Sequence, residues 1–444
     1  MPSPDVNNDG PRAHHPVRTK KRCPPPARSA RRAPPRHAHS LRSLRVRGAH
    51  DTGPPVRYTL AVLPAEERVT WSRPEPFGAW VRFGDSLLLA VDHALAEKLG
   101  VPAGRALSAE PAPLDVHIAV TSRCHAPCAG CYLDAHPGGT DVPFDELVTR
   151  LHEARDAGAS TVAFGGGEPL LRRDLPRLAE AARALGLVPV MTTSGAGLTP
   201  ARAAELTGFA QINVSHDGAA GAYEAVRGYD GAAGAERAIA ALSAAKIAAG
   251  VNFVVTRASI GALLPTAERA ADLGAVEMQL LRYKPAGRAA SPAYADHRLA
   301  PEQVDALWPA IGQVVTARRL RVRIDCAMVP LLSPALVAIG AERVRALGVF
   351  GCEAARNLGA RSSDGAAAPC SFLRGVSPGE LRDYHARLPA PCDACALVAV
   401  CRGGCQAVSL HERGHFSPDP ECPRVRAHAD QSAAPARRSL PLTR

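Results

Sequence analysis

The sequence predicts an α/β fold built on a parallel sheet, followed by a small cysteine-rich segment. Between about residues 111 and 325, short apolar runs typical of strands alternate with helical patterns roughly every 25–35 residues, which indicates repeated βαβ units. The loops with chemically suggestive residues follow these strands, at the edge where parallel sheets bind their ligands. After residue 325 the alternation stops and Gly, Pro and Cys become frequent, so metal ligation must supply part of that segment's stability.

Most of the net charge lies at the N-terminus. The 444 residues include 53 basic and 42 acidic side chains, a net charge of +11. Residues 1–57 contain 13 of the basic and three of the acidic residues, so the remaining chain is nearly neutral and does not indicate a nucleic-acid-binding body. We expect the Pro- and Arg-rich residues 1–55 to be disordered, as either a functional basic arm or a misassigned start.

The thiols are expected to be in a reducing compartment. No apolar run approaches the ~18–20 residues of a membrane span, and the N-terminus has no apolar signal-peptide core. We therefore expect a cytoplasmic protein without membrane contact, in which clustered cysteines are metal ligands rather than disulfides.

Residues 56–110 predict a small module without catalytic motifs. RYTLAVL, GAWVRF and SLLLAV have the pattern of short strands, and DHALAEKLG that of a helix that ends at Gly100. This module either docks a peptide or braces the residues that follow.

Seven strands are predicted in the core at residues 111–325. They are DVHIAV (115–120), STVAFGGG, VPVMTT, QINVSHDG, GVNFVVT, AVEMQLLRY and RVRID (321–325). The intervening helices are predicted at 144–158, DLPRLAEAARALG, TPARAAELT, 233–247, near 260–273 and around 301–318.

Three cysteines follow the first of these strands with the spacing C-x3-C-x2-C. The thiolates of Cys124, Cys128 and Cys131 suit three irons of a [4Fe–4S] cluster and leave the fourth iron open to a substrate or cofactor. His125 and His136 lie nearby, so a zinc site is also possible.

A glycine-rich loop, Gly165 to Pro169, follows the second strand. Glycines at a strand end allow a ligand to approach the backbone, and the carboxylate of Glu168 can hold an amino group.

Together, these loops resemble radical S-adenosylmethionine (radical SAM) enzymes. The cysteine triplet, the Gly-Gly-Glu-Pro loop, Thr193-Ser194-Gly195 and Val214 to Gly218 follow successive strands in the family's order. The resemblance implies a partial (β/α)6 TIM-like barrel, and a [4Fe–4S] cluster whose open iron binds SAM so that a 5′-deoxyadenosyl radical forms.

The resemblance also implies roles for individual residues. Gly166, Gly167 and Glu168 would meet the methionyl amine of SAM, and Ser194 and Ser215 would reach its ribose or carboxylate. Residues 279–288 resemble the strand whose backbone flanks the adenine. The chain departs from the family at two positions. At Gly130 the family usually has an aromatic residue that packs near the adenine, and Tyr132 or His125 would take its place. At Ser194 the family usually has Asn.

The C-terminal cysteines resemble the SPASM domain of many radical SAM enzymes. The resemblance implies one auxiliary [4Fe–4S] cluster on Cys352, Cys370 and Cys405, with Cys326 the candidate fourth ligand or an iron left open. It implies a second cluster on four further cysteines: Cys392, Cys395, Cys401 and Cys422. A zinc ribbon is the alternative interpretation of the paired C-x2-C spacing.

This organisation predicts radical chemistry on a ribosomally made peptide, by cross-linking or oxidation. We expect a precursor peptide and an electron donor such as flavodoxin or ferredoxin as partners, and no nucleic acid. Alternatives are a radical SAM enzyme acting on a small-molecule cofactor precursor and a non-enzymatic zinc protein. No catalytic side chain is identified, and Ser371 stands where sulfatase-maturing relatives carry Asp. The predicted domains are residues 1–55, 56–110, 111–325, 326–430 and a tail at 431–444.

Overall fold

The computed structural model describes residues 69–75, 78–84, 87–101, 112–317 and 320–433. All of them belong to one compact unit, Glu67–Arg444. The predicted tail at 1–55, the strand RYTLAVL and most of the C-terminal tail lie outside the described residues. None of the helices in the described ranges is both long and apolar enough to cross a membrane.

The N-terminal module is a three-stranded antiparallel sheet with one short helix. Its elements are β1 (Val69–Glu75), β2 (Gly78–Phe83), β3 (Leu87–Asp92) and α1 (His93–Lys98), with β2 in the centre. Strands β2 and β3 and helix α1 lie where the sequence predicts them, whereas β1 is not predicted because VTWSRPE lacks a regular apolar alternation.

Two arginines attach this module to the larger sheet. The guanidinium of Arg82 is buried and donates to the carbonyls of Ser160 (3.0 Å) and Gly186 (3.1 Å), and Arg73 donates to that of Gly158 (3.2 Å). These carbonyls precede core strands, so the module lies at the amino-terminal end of the barrel, opposite the cysteine loop.

The larger sheet has nine strands. They are β4 (Asp115–Thr121), β5 (Thr161–Gly166), β6 (Val188–Thr193), β7 (Gln211–Ser215), β8 (Ala248–Val255), β9 (Glu277–Arg282), β10 (Arg321–Ile324), β11 (Leu358–Arg361) and β12 (Ala367–Ala368). Their order is β10-β9-β8-β7-β6-β5-β4-β11-β12, and every pair is parallel except β11 with β12. The parallel α/β fold predicted from the sequence is confirmed.

Helices cover the outer face of this sheet and fill the cysteine-rich segment. Those of the core are α2 (Phe144–Asp156), α3 (Leu175–Ala184), α4 (Pro200–Ala204), α5 (Ala220–Arg227), α6 (Ala232–Ala244), α7 (Leu263–Asp272), α8 (Tyr294–His297) and α9 (Pro301–Ala317). Those beyond it are α10 (Ser333–Ile339), α11 (Ala341–Ala346), α12 (Pro378–Ala386), α13 (Val398–Cys401), α14 (Gln406–Arg413) and α15 (Pro423–Ala433).

The cysteine-rich segment contributes a strand to the barrel sheet. Strand β11 pairs in parallel with β4, so that Leu358 lies opposite Asp115, and this ladder continues the barrel sheet. The sequence LGAR carries no strand signal by itself, and it is extended here because it hydrogen-bonds to β4.

Candidate functional site

The three-cysteine loop follows β4 and is held by backbone contacts at both ends. The amide of Cys124 donates to the carbonyl of His136 at 3.0 Å. Arg288, beyond β9, donates to the carbonyl of Cys128 through Nε (3.1 Å) and Nη2 (3.0 Å), and its own amide donates to that of Cys131 (2.9 Å). The segments that follow β4 and β9, the first and sixth strands of the predicted barrel, therefore hold this loop in place.

The thiols of this loop lie within electrostatic range of one another. Burial raises the pKa of Cys124, and the neighbouring Cys128 and Cys131 raise it further. Burial also raises the pKa of Cys128, while the charge of the nearby Arg227 guanidinium lowers it. Because the thiolate is the metal-binding form, protons must leave this site when metal binds.

Arg227 and the buried Asp217 that orients it were not identified from the sequence as functional residues. Asp217 accepts from Arg227 Nε at 2.5 Å and from the amide of Val254 at 2.6 Å. The sequence does contain one indication of this pair, because Asp217 is a charged residue at the end of a predicted strand, in the motif Val214 to Gly218. Its partner lies on α5, a helix that the sequence pattern does not predict.

The glycines after β5 allow two backbones to approach closely. An added Cβ would lie 2.3 Å from the Thr121 carbonyl oxygen at Gly166 and 2.1 Å from that of Arg123 at Gly167. Gly166 also has φ +117°, which side chains rarely adopt. The glycine loop therefore packs directly against the start of the cysteine loop. Glycine is needed at these two positions for this packing, whether or not a ligand also approaches them.

Glu168 is held by the protein itself. Its Oε1 accepts from the Leu170 amide (3.0 Å) and from Thr193 Oγ1 (2.5 Å), and its Oε2 accepts from the Ser194 amide (2.8 Å) and from Ser194 Oγ (2.5 Å). A carboxylate offers about four lone-pair positions, and these four donors use them. The geometry thus gives Glu168 a role in joining the loops after β5 and β6, and its contact with the amine of SAM stays a prediction.

Replacing Glu168 with Gln should therefore reduce stability rather than ligand affinity alone. The new amide nitrogen cannot accept, so at least one buried donor loses its partner, and we expect the free energy of unfolding to fall by about 1–3 kcal/mol. Urea denaturation measures this. Glu180→Gln, on an exposed position of α3, is the matched control, with a change within about 0.5 kcal/mol. Equal stability of both variants would contradict the assignment.

The two predicted serine contacts lie on different cavities. Ser215 lines the large interior cavity with Gly166, whereas Ser194 lines a smaller one of about 320 Å³. Because Ser194 Oγ already donates to Glu168, Ser215 is the serine that the structure leaves facing the interior.

Four of the C-terminal thiols form one group that includes Cys326. Burial raises the pKa of Cys326 well above its usual range, and the thiols of Cys352 and Cys405 raise it further. Burial raises the pKa of Cys370 to about 12, with Cys405 adding to the effect. Cys326 lies at the start of the segment after β10, and the fold brings it to the cysteines assigned to the first auxiliary cluster.

The other four C-terminal thiols form a second group. Burial raises the pKa of Cys392 to about 12, and Cys422 and Cys395 raise it further. Cys401 is affected in the same way by Cys422, Cys392 and Cys395. All eleven cysteines in the described residues are free, and they fall into sets of three, four and four. Within the described ranges, no three His, Cys, Asp or Glu side chains are arranged to hold a single metal ion.

An interior cavity of about 710 Å³ connects the two ends of the barrel. At the amino-terminal end its wall includes Arg82 and Leu88 of the N-terminal module. At the carboxyl end it includes Gly130 and Gly166 and four cysteines: Cys326, Cys352, Cys370 and Cys405. A substrate in this cavity would lie between the three-cysteine loop and the group that contains Cys326.

Polar side chains that the sequence did not identify line this space between the thiol groups. Lys284 and Asp325 form a buried ion pair, and His117 Nδ1 lies 3.0 Å from Ser371 Oγ. Burial and then the charge of Lys284 lower the pKa of His117 to about 4, so its imidazole is neutral at neutral pH. These residues are separated by up to 254 positions, and only folding brings them together.

A parallel barrel with a cysteine triplet after its first strand and a glycine loop after its second is the arrangement expected of a SAM-cleaving enzyme. Comparison with known families agrees with this class. Residues 118–260 match the model of the radical SAM superfamily.

Curated relatives with similar sequences are named PqqA peptide cyclase. The chain is 33% identical to that of Streptomyces rochei over 174 residues, which cover 38% of this chain and 48% of the relative. It is 37% identical to that of Xanthomonas euvesicatoria over 133 residues, which cover 28% and 34% of the two chains. The chain therefore spans about half or less of the length of these relatives.

Solved structures share the fold at low sequence identity. Streptococcus suis SuiB bound to the precursor peptide SuiA has a TM-score of 0.62 at 15% identity, covering 80% of this chain and all of SuiB. The enzyme anSMEcpe with bound AdoMet has a TM-score of 0.55 at 16% identity, covering 72% and 97%. These similarities establish the architecture.

Proposed function

We propose that this protein is a radical SAM enzyme that modifies a ribosomally made peptide. The observation that carries the proposal is the shared cavity, which adjoins the three-cysteine loop at Gly130 and also contacts four further cysteines. The names of the curated relatives support a peptide substrate.

Cys124, Cys128 and Cys131 are the residues that would hold the SAM-binding [4Fe–4S] cluster. Their thiols fit such a group because they are free and lie within electrostatic range of one another. When bound and reduced, cluster and SAM supply a 5′-deoxyadenosyl radical. Gly166 and Ser215 would contact SAM from the cavity wall.

Two auxiliary [4Fe–4S] clusters are proposed for the remaining thiols. One would be held by Cys326, Cys352, Cys370 and Cys405, and the other by Cys392, Cys395, Cys401 and Cys422. Four thiolates complete each site, which suits the removal of electrons from a substrate rather than its direct ligation. An external donor such as flavodoxin or ferredoxin would supply the reducing electron.

The N-terminal module is proposed to dock the leader segment of the peptide. Arg82 and Leu88 of this module lie in the wall of the cavity at its amino-terminal end. A leader bound to the module would thus place the following residues at the entrance to the barrel interior.

Coexpression with the short peptide encoded beside the gene tests the proposal. We expect a defined mass change, such as the loss of two hydrogens, which mass spectrometry measures against the same peptide expressed alone. The anaerobically purified enzyme should contain about 12 irons and 12 sulfides per chain, an estimate for three clusters. Unchanged neighbouring peptides, together with intact SAM cleavage, would contradict the peptide substrate.

A further inference from the structure

We propose that the ring of Tyr283 forms the aromatic wall against which the adenine of SAM binds. This inference rests on the proposed function, because it names a contact within the SAM site. The chemical group recognised is a flat purine beside the three-cysteine loop, and the residue comes from a different strand end than the loop itself.

The first observation is the fit between Tyr283 and Gly130. A Cβ added to Gly130 would lie 2.6 Å from Tyr283 Oη and 2.7 Å from its Cε2. A larger residue at position 130 and the tyrosine at position 283 are therefore sterically incompatible. Tyr283 occupies the space that a side chain at position 130 would need, directly before Cys131.

The second observation is that the ring is supported from behind. Tyr283 stacks on Tyr294 with centroids 5.9 Å apart and an interplanar angle of 14°, and His297 lies 5.0 Å away. Tyr294 is itself held by a hydrogen bond from its Oη to Glu421, at 2.6 Å. The Tyr283 ring is thus fixed before any ligand binds, which reduces the entropy lost on binding.

The third observation concerns the phenol. Tyr283 lines the cavity with Gly130 and Ser215, so its phenol borders the space that a ligand would occupy. Burial raises its pKa, so the hydroxyl stays protonated at neutral pH and remains a donor. Purine nitrogens are acceptors that suit such a donor.

The two other aromatic candidates are placed elsewhere. Tyr132 lies against Phe372, with centroids 4.7 Å apart, and near Lys284, beside the group that contains Cys326. His125 is exposed. Of the three, Tyr283 is the ring that contacts the loop at Gly130.

Binding of S-adenosylhomocysteine, which the enzyme does not cleave, tests this assignment. Isothermal titration of the anaerobically reconstituted full chain should show about tenfold weaker binding for Tyr283→Ala, from the loss of base stacking. Tyr283→Phe, which keeps the ring and removes the hydroxyl, should bind about fivefold more weakly. Iron content and circular dichroism confirm that each variant is folded and loaded.

A residue exchange provides the sharpest comparison. Gly130→Phe alone should weaken binding because the two rings collide, whereas Gly130→Phe combined with Tyr283→Ala should return affinity to within about threefold of the parent chain. Tyr132→Leu should leave the affinity within about twofold. Unchanged binding by Tyr283→Ala, or a greater loss in Tyr132→Leu, would overturn the inference. If the parent chain itself does not bind the probe, the proposed function fails instead.

Discussion

Replacing Cys128 with Ala is expected to abolish the formation of 5′-deoxyadenosine from SAM. Cys128 is the central thiol of the triplet, and the charge of Arg227, which lines the cavity, lowers the pKa of this thiol. Two remaining thiolates cannot hold a cubane cluster by themselves, so SAM loses the iron to which it would bind. Anaerobic assays with dithionite, followed by chromatography, measure the product.

The metal content of this variant should fall only in part. About four of the estimated 12 irons should be lost, because the two groups of four C-terminal thiols do not include Cys128. The matched control is Cys23→Ala, since Cys23 is the one cysteine of the sequence that is assigned to none of the three proposed clusters, and this variant should retain all its iron and activity. Continued release of 5′-deoxyadenosine by Cys128→Ala would refute the assignment of the SAM cluster.

Replacing Asp419 with Asn should cause the largest loss of stability. Its buried carboxylate accepts from Arg282 Nη1 (2.7 Å) and Nη2 (3.1 Å) and from the amides of Cys405 (2.9 Å) and Glu421 (3.0 Å). The variant leaves the buried Arg282 without its principal counter-charge, which typically costs about 3–5 kcal/mol. Arg282 ends β9, so this pair connects the barrel to the cysteine-rich segment.

Denaturation of the holoenzyme with guanidinium measures this effect. Asp156→Asn is the matched control, because its pair with Arg155 is exposed at the surface, with 66% of the Asp156 side chain accessible, and exposed pairs contribute little. We expect the control to lie within about 0.5 kcal/mol of the parent chain. A loss of less than about 1 kcal/mol in Asp419→Asn would show that Glu421, 2.9 Å from Arg282, replaces it.

The regular part of the fold was predictable because its signals are local. The core strands combine β-branched apolar runs with flanking glycines, and Thr199 and Pro200 mark the start of α4 as the rules for helix capping require. Strand β11 was not predictable, since its sequence becomes extended only through its pairing with β4. Helix α5 was missed because its Ala- and Gly-rich start has no capping residue.

The candidate site divides in a similar way. The resemblance to radical SAM and SPASM proteins implied the three thiol sets, and the proximity of Cys326 to Cys352 and Cys405 agrees with that expectation, although their roles as ligands remain predictions. The contact of Glu168 with SAM stays a prediction, and its hydrogen bonds to three neighbouring residues could not be read from the spacing of the motif. The contact of Tyr283 with the loop at Gly130 was not predictable either, because the two residues are far apart in the sequence and meet only in the folded chain.

The pairing of β11 with β4 restricts how the barrel and the cysteine-rich segment can be separated or exchanged. A barrel cut off after residue 325 would leave residues 115–118 of β4 unpaired on the side that β11 covers, and such edges recruit strands from other molecules. The cysteine-rich segment therefore protects this edge of the barrel from pairing with other molecules, in addition to its proposed role in holding metal clusters. Exchanging the cysteine-rich segment between homologues therefore requires a strand that pairs with β4 in the same register as β11.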